Sequence, residues 1–129
     1  MNHERVGSKT LFLDTYALYG IALGSENYKQ FSSGVSVITT IMNLYELYYR
    51  LIQDNFLYEA DKFFEKFLPD CAQIKPDVIK EAALFRLQNK KLNLSYIDAL
   101  GYVAAKKHSV NFLTGDEAFR KLPNVEFVK

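Results

Sequence analysis

The sequence predicts an α/β protein with a three-layer α/β/α fold and a central, mostly parallel sheet of four to five strands. Short apolar runs alternate with amphipathic helical stretches almost from end to end. This order is typical of a parallel sheet covered by helices. The chain has 129 residues, 49% of them apolar. That length suits one core and leaves little room for two, so we expect residues 1–129 to form a single domain.

The first third of the chain begins the alternation. The apolar run 11–13 predicts a buried strand ending at Asp14, which is placed to cap a helix over 15–23. A loop over 24–34 follows, with room for a helical turn, and then a second strand over 35–38. A long amphipathic helix is predicted to run to about residue 53, with apolar positions at three-and-four spacing. These positions are Ile41, Leu44, Tyr45, Tyr48, Leu51 and Ile52.

The rest of the chain continues the same pattern. Pro69 ends one helix, and Pro76 suits the first position of the next. The predicted helices are 56–68, 76–90, 95–108 and a short 117–121, and the predicted strands are 71–74, 110–113 and 125–128.

Charge and composition restrict the classes of function. The net charge is +1, and a protein that holds nucleic acid through bulk electrostatics is usually more basic. Any RNA contact must therefore use local lysines and arginines, or be transient and catalytic. Cys71 is the single cysteine, which suits a reducing compartment. The first ten residues lack the apolar stretch of a signal peptide, and no run could span a membrane. We therefore expect a cytoplasmic protein that does not bind membranes.

Four carboxylates are candidate site residues, and each also has a structural explanation. Asp14 and Asp116 can each cap the helix that follows. Asp98 follows Ser95 by three residues, the spacing of a capping box. Glu46 lies four residues before Arg50, the spacing of a helical ion pair.

Their joint placement suggests more than four separate caps and pairs. Asp14 and Asp116 follow strands, Asp98 lies in the first turn of a helix, and Glu46 lies near the start of another. In open α/β sheets the crevice outside the carboxyl ends of the strands usually forms the site. Carboxylates gathered there would repel one another, and a hard divalent cation would relieve that repulsion. A donor set of oxygen ligands favours Mg²⁺ or Mn²⁺ over Zn²⁺.

At these residues the sequence resembles the PIN domain family. The strand 11–13 with Asp14 and Thr15 resembles the opening motif of that family, and Glu46 its mid-chain helical acid. The resemblance is strongest over 95–105, Ser-Tyr-Ile-Asp-Ala-Leu-Gly-Tyr-Val-Ala-Ala, and over 111–116, Asn-Phe-Leu-Thr-Gly-Asp. It covers essentially the whole chain, and the spacings suit a compact member such as the VapC-type toxins.

The resemblance implies a site and a reaction. Asp14, Glu46 and Asp98 would be the core metal-binding acids, and Asp116 the fourth. Thr15 and Thr114 would be polar groups that hold a carboxylate or a water in place, with Asn43 a weaker candidate at the same rim. The implied activity is an Mg²⁺- or Mn²⁺-dependent ribonuclease that hydrolyses RNA phosphodiester bonds with a metal-activated water.

The resemblance also implies protein partners. A VapC-like toxin would form a homodimer and bind a small antitoxin. We expect the antitoxin groove on the two aromatic helices, at Tyr45, Tyr48, Tyr49, Phe56, Phe63 and Phe64. Basic pairs at Lys90-Lys91, Lys106-Lys107 and Arg120-Lys121 are either solvated helix ends or contacts for RNA phosphates.

Other functions remain open at this point. The main alternative is a non-catalytic PIN-like module that binds RNA or protein, although such a module would need none of the four acids. A phosphatase of the haloacid dehalogenase type would place a second Asp two residues after Asp14, where this chain has Tyr16. A receiver domain would need adjacent acids early in the chain and a late lysine after a strand, and neither is clear.

Overall fold

A four-stranded parallel sheet is the centre of the structure, a computed structural model that describes residues 9–129. The strands are β1 (Thr10–Leu13), β2 (Ser36–Ile38), β3 (Asn111–Thr114) and β4 (Val125–Phe127). Their order is β2-β1-β3-β4, and every pairing is parallel. The predicted fold class is therefore confirmed. The segment 1–8, to which the prediction about a signal peptide applies, lies outside the described residues.

Five α-helices cover the sheet. They are α1 (Thr15–Ala22), α2 (Ile41–Gln53), α3 (Leu57–Phe67), α4 (Pro76–Gln88) and α5 (Tyr96–Lys107). Residues 9–129 also form four short 3₁₀ helices, at Glu26–Phe31, Leu68–Asp70, Lys90–Leu92 and, after α5, at Glu117–Phe119. Within residues 9–129, no helix combines the length and the apolar character that crossing a bilayer requires.

The alternation of side chains along the strands creates two cores. Leu11, Leu13 and Leu113 pack with α1, α2 and α3 on one face of the sheet. Phe12 and Phe112 point to the other face, where they pack with α4 and α5. Successive strand residues face opposite sides of a sheet, so continuously apolar strands bury both faces. This accounts for three layers rather than two.

The order of the strands places the crevice. From β1 the chain crosses to β2 on one side, and after four helices it returns to β3 on the other side of β1. The two crossovers, from β1 to β2 and from β2 to β3, therefore run in opposite directions across the sheet. In doubly wound sheets such a switch point opens a crevice at the carboxyl ends of the strands. Asp14 lies there, and its backbone N–H donates to the carbonyl of Leu113 (3.3 Å).

The predicted strand over 71–74 is wrong in extent. Only Cys71 pairs, through one isolated parallel bridge to Thr39, supported by a bond from the Ala72 N–H to the Thr39 carbonyl (2.8 Å). The neighbouring strand β2 has already ended at Ile38, and Thr40 caps α2. No ladder is therefore left for a fifth strand to extend.

The buried face of α2 also differs from the predicted one. Leu44, Leu47 and Leu51 are fully buried, whereas Tyr45 is 64% exposed. The helix turns its leucines onto the sheet and its tyrosines outward or toward α3. Three-and-four spacing fits both stripes, so periodicity alone did not decide which stripe faces the core.

Leu47→Ala should lower the free energy of unfolding by about 2–5 kcal/mol, because it leaves a cavity in a closely packed core. Tyr45→Ala, two residues earlier on the same helix, should change it by about 0.5 kcal/mol or less. Urea unfolding of the two variants and the wild type measures both values. A larger loss for Tyr45→Ala would show that α2 presents the other face to the sheet.

Candidate metal centre

Asp14 lies at the bottom of the crevice, and it is only 4% exposed. Its Oδ1 accepts a hydrogen bond from the Ala17 N–H (2.8 Å), so it caps α1. The structural explanation for Asp14 is therefore correct, but it is incomplete. A cap needs one carboxylate oxygen and can stay exposed, whereas this carboxyl group is removed from water.

Burial raises the pKa of Asp14 to about 8, despite opposing hydrogen bonds from Thr114 and the Ala17 N–H. Repulsion from Asp98 and Asp116 raises the pKa further. Without a cation this group therefore resists ionisation. It also lies within electrostatic reach of two of the other candidate acids.

Asp98 occupies the first turn of α5 in a complete capping box. Its Oδ2 accepts from the Ser95 N–H, and its own N–H donates to Ser95 Oγ, both at 3.0 Å. The carboxyl group is half-buried, and burial raises its pKa against the lowering effect of these bonds. Repulsion from Asp116 and Glu46 adds to the rise. Asp98 is therefore both a fixed cap and a member of the acidic group.

Thr114 links Asp116 to Asp14. The Asp116 N–H donates to Thr114 Oγ1 (3.0 Å), and the Thr114 hydroxyl hydrogen-bonds the Asp14 carboxyl group. Thr114 is fully buried at the end of β3. Asp116 Oδ1 accepts from the Ala118 N–H (3.0 Å) and caps the short 3₁₀ helix. One hydroxyl group therefore sets the relative position of two acids.

Glu46 reaches the site from α2, where it is half-buried. The ion pair between Glu46 and Arg50, the structural explanation offered by the sequence, is not formed. The Arg50 guanidinium group instead lies over the Tyr19 ring, with its central carbon 5.3 Å from the ring centroid. Glu46 is therefore not neutralised by Arg50, and its charge acts on Asp98.

Buried hydrogen bonds join α1 to α2 beneath the acids. Asn43 is 2% exposed, and its Nδ2 donates to Thr15 Oγ1 (3.2 Å). Its Oδ1 accepts from the Thr40 hydroxyl (2.6 Å). Thr15 therefore contacts Asn43, one helical turn before Glu46. From the sequence, Asn43 was only a weaker candidate for the rim of the site. Its place on the apolar side of an amphipathic helix was nevertheless a signal that it is buried.

Gly115 lies within the motif 111–116, but the sequence did not predict a role for it. A Cβ at this position would lie 2.3 Å from Tyr16 Cε1 and 2.5 Å from the Val128 carbonyl oxygen. The backbone between Thr114 and Asp116 is therefore held against the Tyr16 ring. Only glycine fits there.

The four acids interact electrostatically but are not gathered into a preformed cage. Among residues 9–129, no three histidine, cysteine or carboxylate side chains lie close enough together to hold a metal ion. The donors nevertheless suit Mg²⁺ or Mn²⁺, because they are all oxygens and one of them is buried at an electrostatic cost. Mg²⁺ usually keeps several waters and needs only one or two direct carboxylates. The arrangement therefore fits such an ion better than a fully coordinated Zn²⁺.

Some of the basic pairs named above are used elsewhere. Lys107 bonds Asp77 (3.3 Å) and Glu81 (2.6 Å), tying α5 to α4. Arg120 bonds Glu117 (3.3 Å). Solvated helix-end pairing therefore explains these two cations without RNA.

Comparisons with known proteins agree with the fold. A profile of the PIN domain matches residues 11–125. A comparison with curated proteins finds no match. Among solved structures, a toxin–antitoxin complex from Klebsiella pneumoniae is similar, with a TM-score of 0.70 and 17% identity over 90% of this chain and 95% of that one.

Two further structures extend the similarity. VapC20 from Mycobacterium tuberculosis, described as a toxin that cleaves the sarcin–ricin loop, gives a TM-score of 0.78 and 17% identity over 92% of this chain and 99% of that one. VapBC2 from Rickettsia felis, bound to a DNA fragment from its promoter, gives a TM-score of 0.68 and 16% identity over 93% of this chain and 99% of that one. These structures share the fold, and the profile match covers nearly all of the described chain. The chain belongs to the PIN domain family.

Proposed function

We propose that this protein is an Mg²⁺- or Mn²⁺-dependent endoribonuclease that hydrolyses RNA phosphodiester bonds, and that it is the toxin of a VapBC-type toxin–antitoxin pair. The observation that carries the proposal is the buried Asp14 carboxyl group at the switch point, on which the charges of Asp98 and Asp116 act. A fold does not need three repelling carboxylates in one crevice. Membership of the PIN family and the fold shared with a sarcin–ricin loop cleaving toxin support RNA as the substrate.

The roles of the residues follow from their contacts. Asp14, Glu46, Asp98 and Asp116 would hold the ion, which when bound supplies an activated water and neutralises charge on the phosphodiester. Thr114 orients Asp14 and Asp116, and Ser95 fixes Asp98. Thr15 and Asn43 hold α2, and with it Glu46, against α1. The hydrogen bonds that hold Asp14, Asp98 and Asp116 in place would lower the reorganisation needed at the moment of reaction.

One observation favours the alternative, a non-catalytic PIN-like module that binds RNA or protein. Among residues 9–129, no three histidine, cysteine, aspartate or glutamate side chains lie close enough together to hold a metal ion. A binding module would still carry the cost of burying Asp14, which makes it the second candidate. The two functions differ in whether RNA is cut, so one assay separates them.

Asp14→Asn and Asp98→Asn should each lower the rate of RNA cleavage by more than about 100-fold. Loss of even an outer partner of a metal site costs about 10–100-fold, and these residues would contact the ion. Asparagine preserves the helix caps, so folding should be retained. The measurement is cleavage of total RNA in Mg²⁺ or Mn²⁺ with EDTA as a blank.

Asp77→Asn is the matched control for this assay, because Asp77 is an exposed acid that pairs with Lys107 away from the crevice. Its cleavage rate should match that of the wild type. Equal rates for all three variants and the wild type would contradict the metal-nuclease proposal. RNA binding without any cleavage would identify the binding module.

Mn²⁺ should raise the melting temperature of the wild-type protein, because a ligand that binds only the folded state stabilises it. The Asp14→Asn variant should lose most of this increase. In EDTA the same variant should melt at or above the wild-type temperature, because it removes a carboxyl group that is costly to bury. Differential scanning fluorimetry at one pH measures both effects. An equal Mn²⁺ shift in both proteins would locate the ion elsewhere.

We also propose two protein partners, a second copy of the chain and a small antitoxin. The shared fold with proteins in toxin–antitoxin complexes supports the antitoxin. Three of the aromatic residues expected to bind it are exposed: Tyr45 at 64%, Tyr49 at 55% and Phe56 at 36%. Tyr48 instead packs edge-on against Phe64 between α2 and α3 (5.8 Å between ring centroids). The antitoxin surface that we propose is therefore centred on Tyr45, Tyr49 and Phe56, and it does not include Tyr48 and Phe64.

Light scattering of the chain alone should give twice the 14.9 kDa of one chain, and a larger mass once the product of a neighbouring gene is co-expressed. Tyr45→Glu with Tyr49→Glu should abolish the larger complex by placing charge on its interface. The homodimer should remain. Retention of the complex by this variant would exclude the exposed face of α2 as the antitoxin surface.

A further inference from the structure

We propose that a cavity beside the metal centre binds one nucleotide of single-stranded RNA, next to the phosphate that is cut. Its base would stack on Tyr16 and its phosphate would contact Arg50. The cavity is about 330 Å³ and is lined by Tyr16, Tyr19, Leu23, Tyr28, Arg50 and Lys129, among others. This inference rests on the proposed ribonuclease function and names where the substrate strand lies.

The Tyr16 ring ties the cavity to the acids. Tyr16 follows Asp14 and Thr15 in the chain, and its ring packs on Gly115, between Thr114 and Asp116. The absence of a side chain at Gly115 is what permits this contact. Tyr16 is nevertheless 38% exposed, so part of the ring is open to a ligand. A base stacked there would lie directly beside the candidate metal ligands.

Tyr28 forms the inner wall of the cavity. Its ring centroid lies 6.0 Å from that of Tyr16, and Tyr28 is 1% exposed. Burial raises the pKa of Tyr28 first, and the Asp14 carboxyl group adds to the rise. Tyr28 therefore lies within electrostatic reach of one of the candidate metal ligands. The cavity and the metal centre are adjacent parts of one surface.

The cations at the rim match the backbone of a nucleic acid. Arg50 is exposed at the end of α2 and stacks over the Tyr19 ring. Within residues 9–129 its guanidinium group forms no salt bridge, so its charge can act on an anionic ligand. Lys129 also reaches the cavity, although its Nζ pairs with Glu117 (3.0 Å). Arginine is suited to phosphate contacts because its guanidinium group donates two parallel hydrogen bonds.

The combination of aromatic rings and cations distinguishes a nucleotide from other ligands. Proteins that bind single strands use aromatic side chains as stacking platforms beside cations that contact the backbone. Ligand pockets are typically about 300–1,000 Å³, and this cavity is at the small end, which suits a single nucleoside. If one phosphate of an RNA strand reaches the acids, the neighbouring nucleotides of that RNA must contact the protein surfaces beside the acids. This cavity is one such surface, and it carries both aromatic rings and an arginine that forms no salt bridge within residues 9–129.

The test measures RNA binding without cleavage. A fluorescein-labelled 12-nucleotide single-stranded RNA of mixed sequence is titrated in Mg²⁺ against the Asp98→Asn protein and against variants made in that background. Tyr16→Leu should weaken binding by about 10-fold, the order expected for the loss of one base–aromatic stack. Tyr16→Phe should keep the affinity within about two-fold, because the ring remains. Arg50→Gln should reduce the salt dependence of log Kd by about 0.7, the value for one phosphate on a single strand.

Matched controls come from a similar pair on another helix. Lys62 lies over the Tyr58 ring of α3 at 5.8 Å, and Tyr58 is 72% exposed. Tyr58→Leu and Lys62→Gln remove the same groups outside the cavity and should leave both affinity and salt dependence unchanged. Photocrosslinking with 4-thiouridine RNA provides a second measurement that needs no variant. The crosslinks should fall on the peptide that contains Tyr16 and Tyr19.

The outcomes separate the nucleotide site from the proposed reaction. If wild-type protein cuts no RNA but Tyr16→Leu still weakens binding, the nucleotide site stands and the ribonuclease proposal fails. Equal affinities for Tyr16→Leu and Tyr58→Leu, or crosslinks confined to other peptides, overturn the site whatever the cleavage assay gives. Loss of a protein partner by Tyr16→Leu with unchanged RNA affinity also overturns it and assigns the cavity to that partner.

Discussion

The buried carboxyl group of Asp14 is the constraint around which the site is arranged. Asp14 directly follows β1, where the two crossovers run in opposite directions. Its Oδ1 accepts from the Ala17 N–H and so caps α1, and the Thr114 hydroxyl group hydrogen-bonds the carboxyl group. Burying a carboxyl group with charged neighbours opposes folding unless hydrogen bonds or a cation compensate. Here hydrogen bonds supply part of the compensation. The remaining cost is what a divalent cation would relieve.

The sheet makes that cost tolerable. Its apolar strands bury Leu11 and Leu13 on one face and Phe12 on the other, so two cores lock β1 in place. Because both faces of β1 are packed, the strand stays in place although Asp14 at its end is costly to bury. The stabilising cores and the electrostatic cost at the crevice are therefore separated along one short strand, as is common when rigid elements position a polar site.

The helix caps have two roles in this protein. Asp14, Asp98 and Asp116 all cap helices, and all three also repel one another. Capping fixes one oxygen of each carboxylate and thereby the direction of the group. In the sequence, each of these acids could be interpreted as a helix cap or as a metal ligand. These two interpretations are therefore not mutually exclusive.

The sequence by itself determined the fold class, the order of the α-helices and the four paired strands, because these depend on local patterns of apolar residues, caps and breakers. It also predicted the caps at Asp14 and Asp116 and the capping box at Asp98. Tertiary structure decided what depends on neighbours distant in the chain. Packing places Leu47 rather than Tyr45 in the core. It leaves the predicted strand over 71–74 with a single bridge at Cys71. It also places Arg50 over the Tyr19 ring rather than beside Glu46. Spacing along a helix shows which side chains can meet, but only packing between helices decides which contact has the lower free energy.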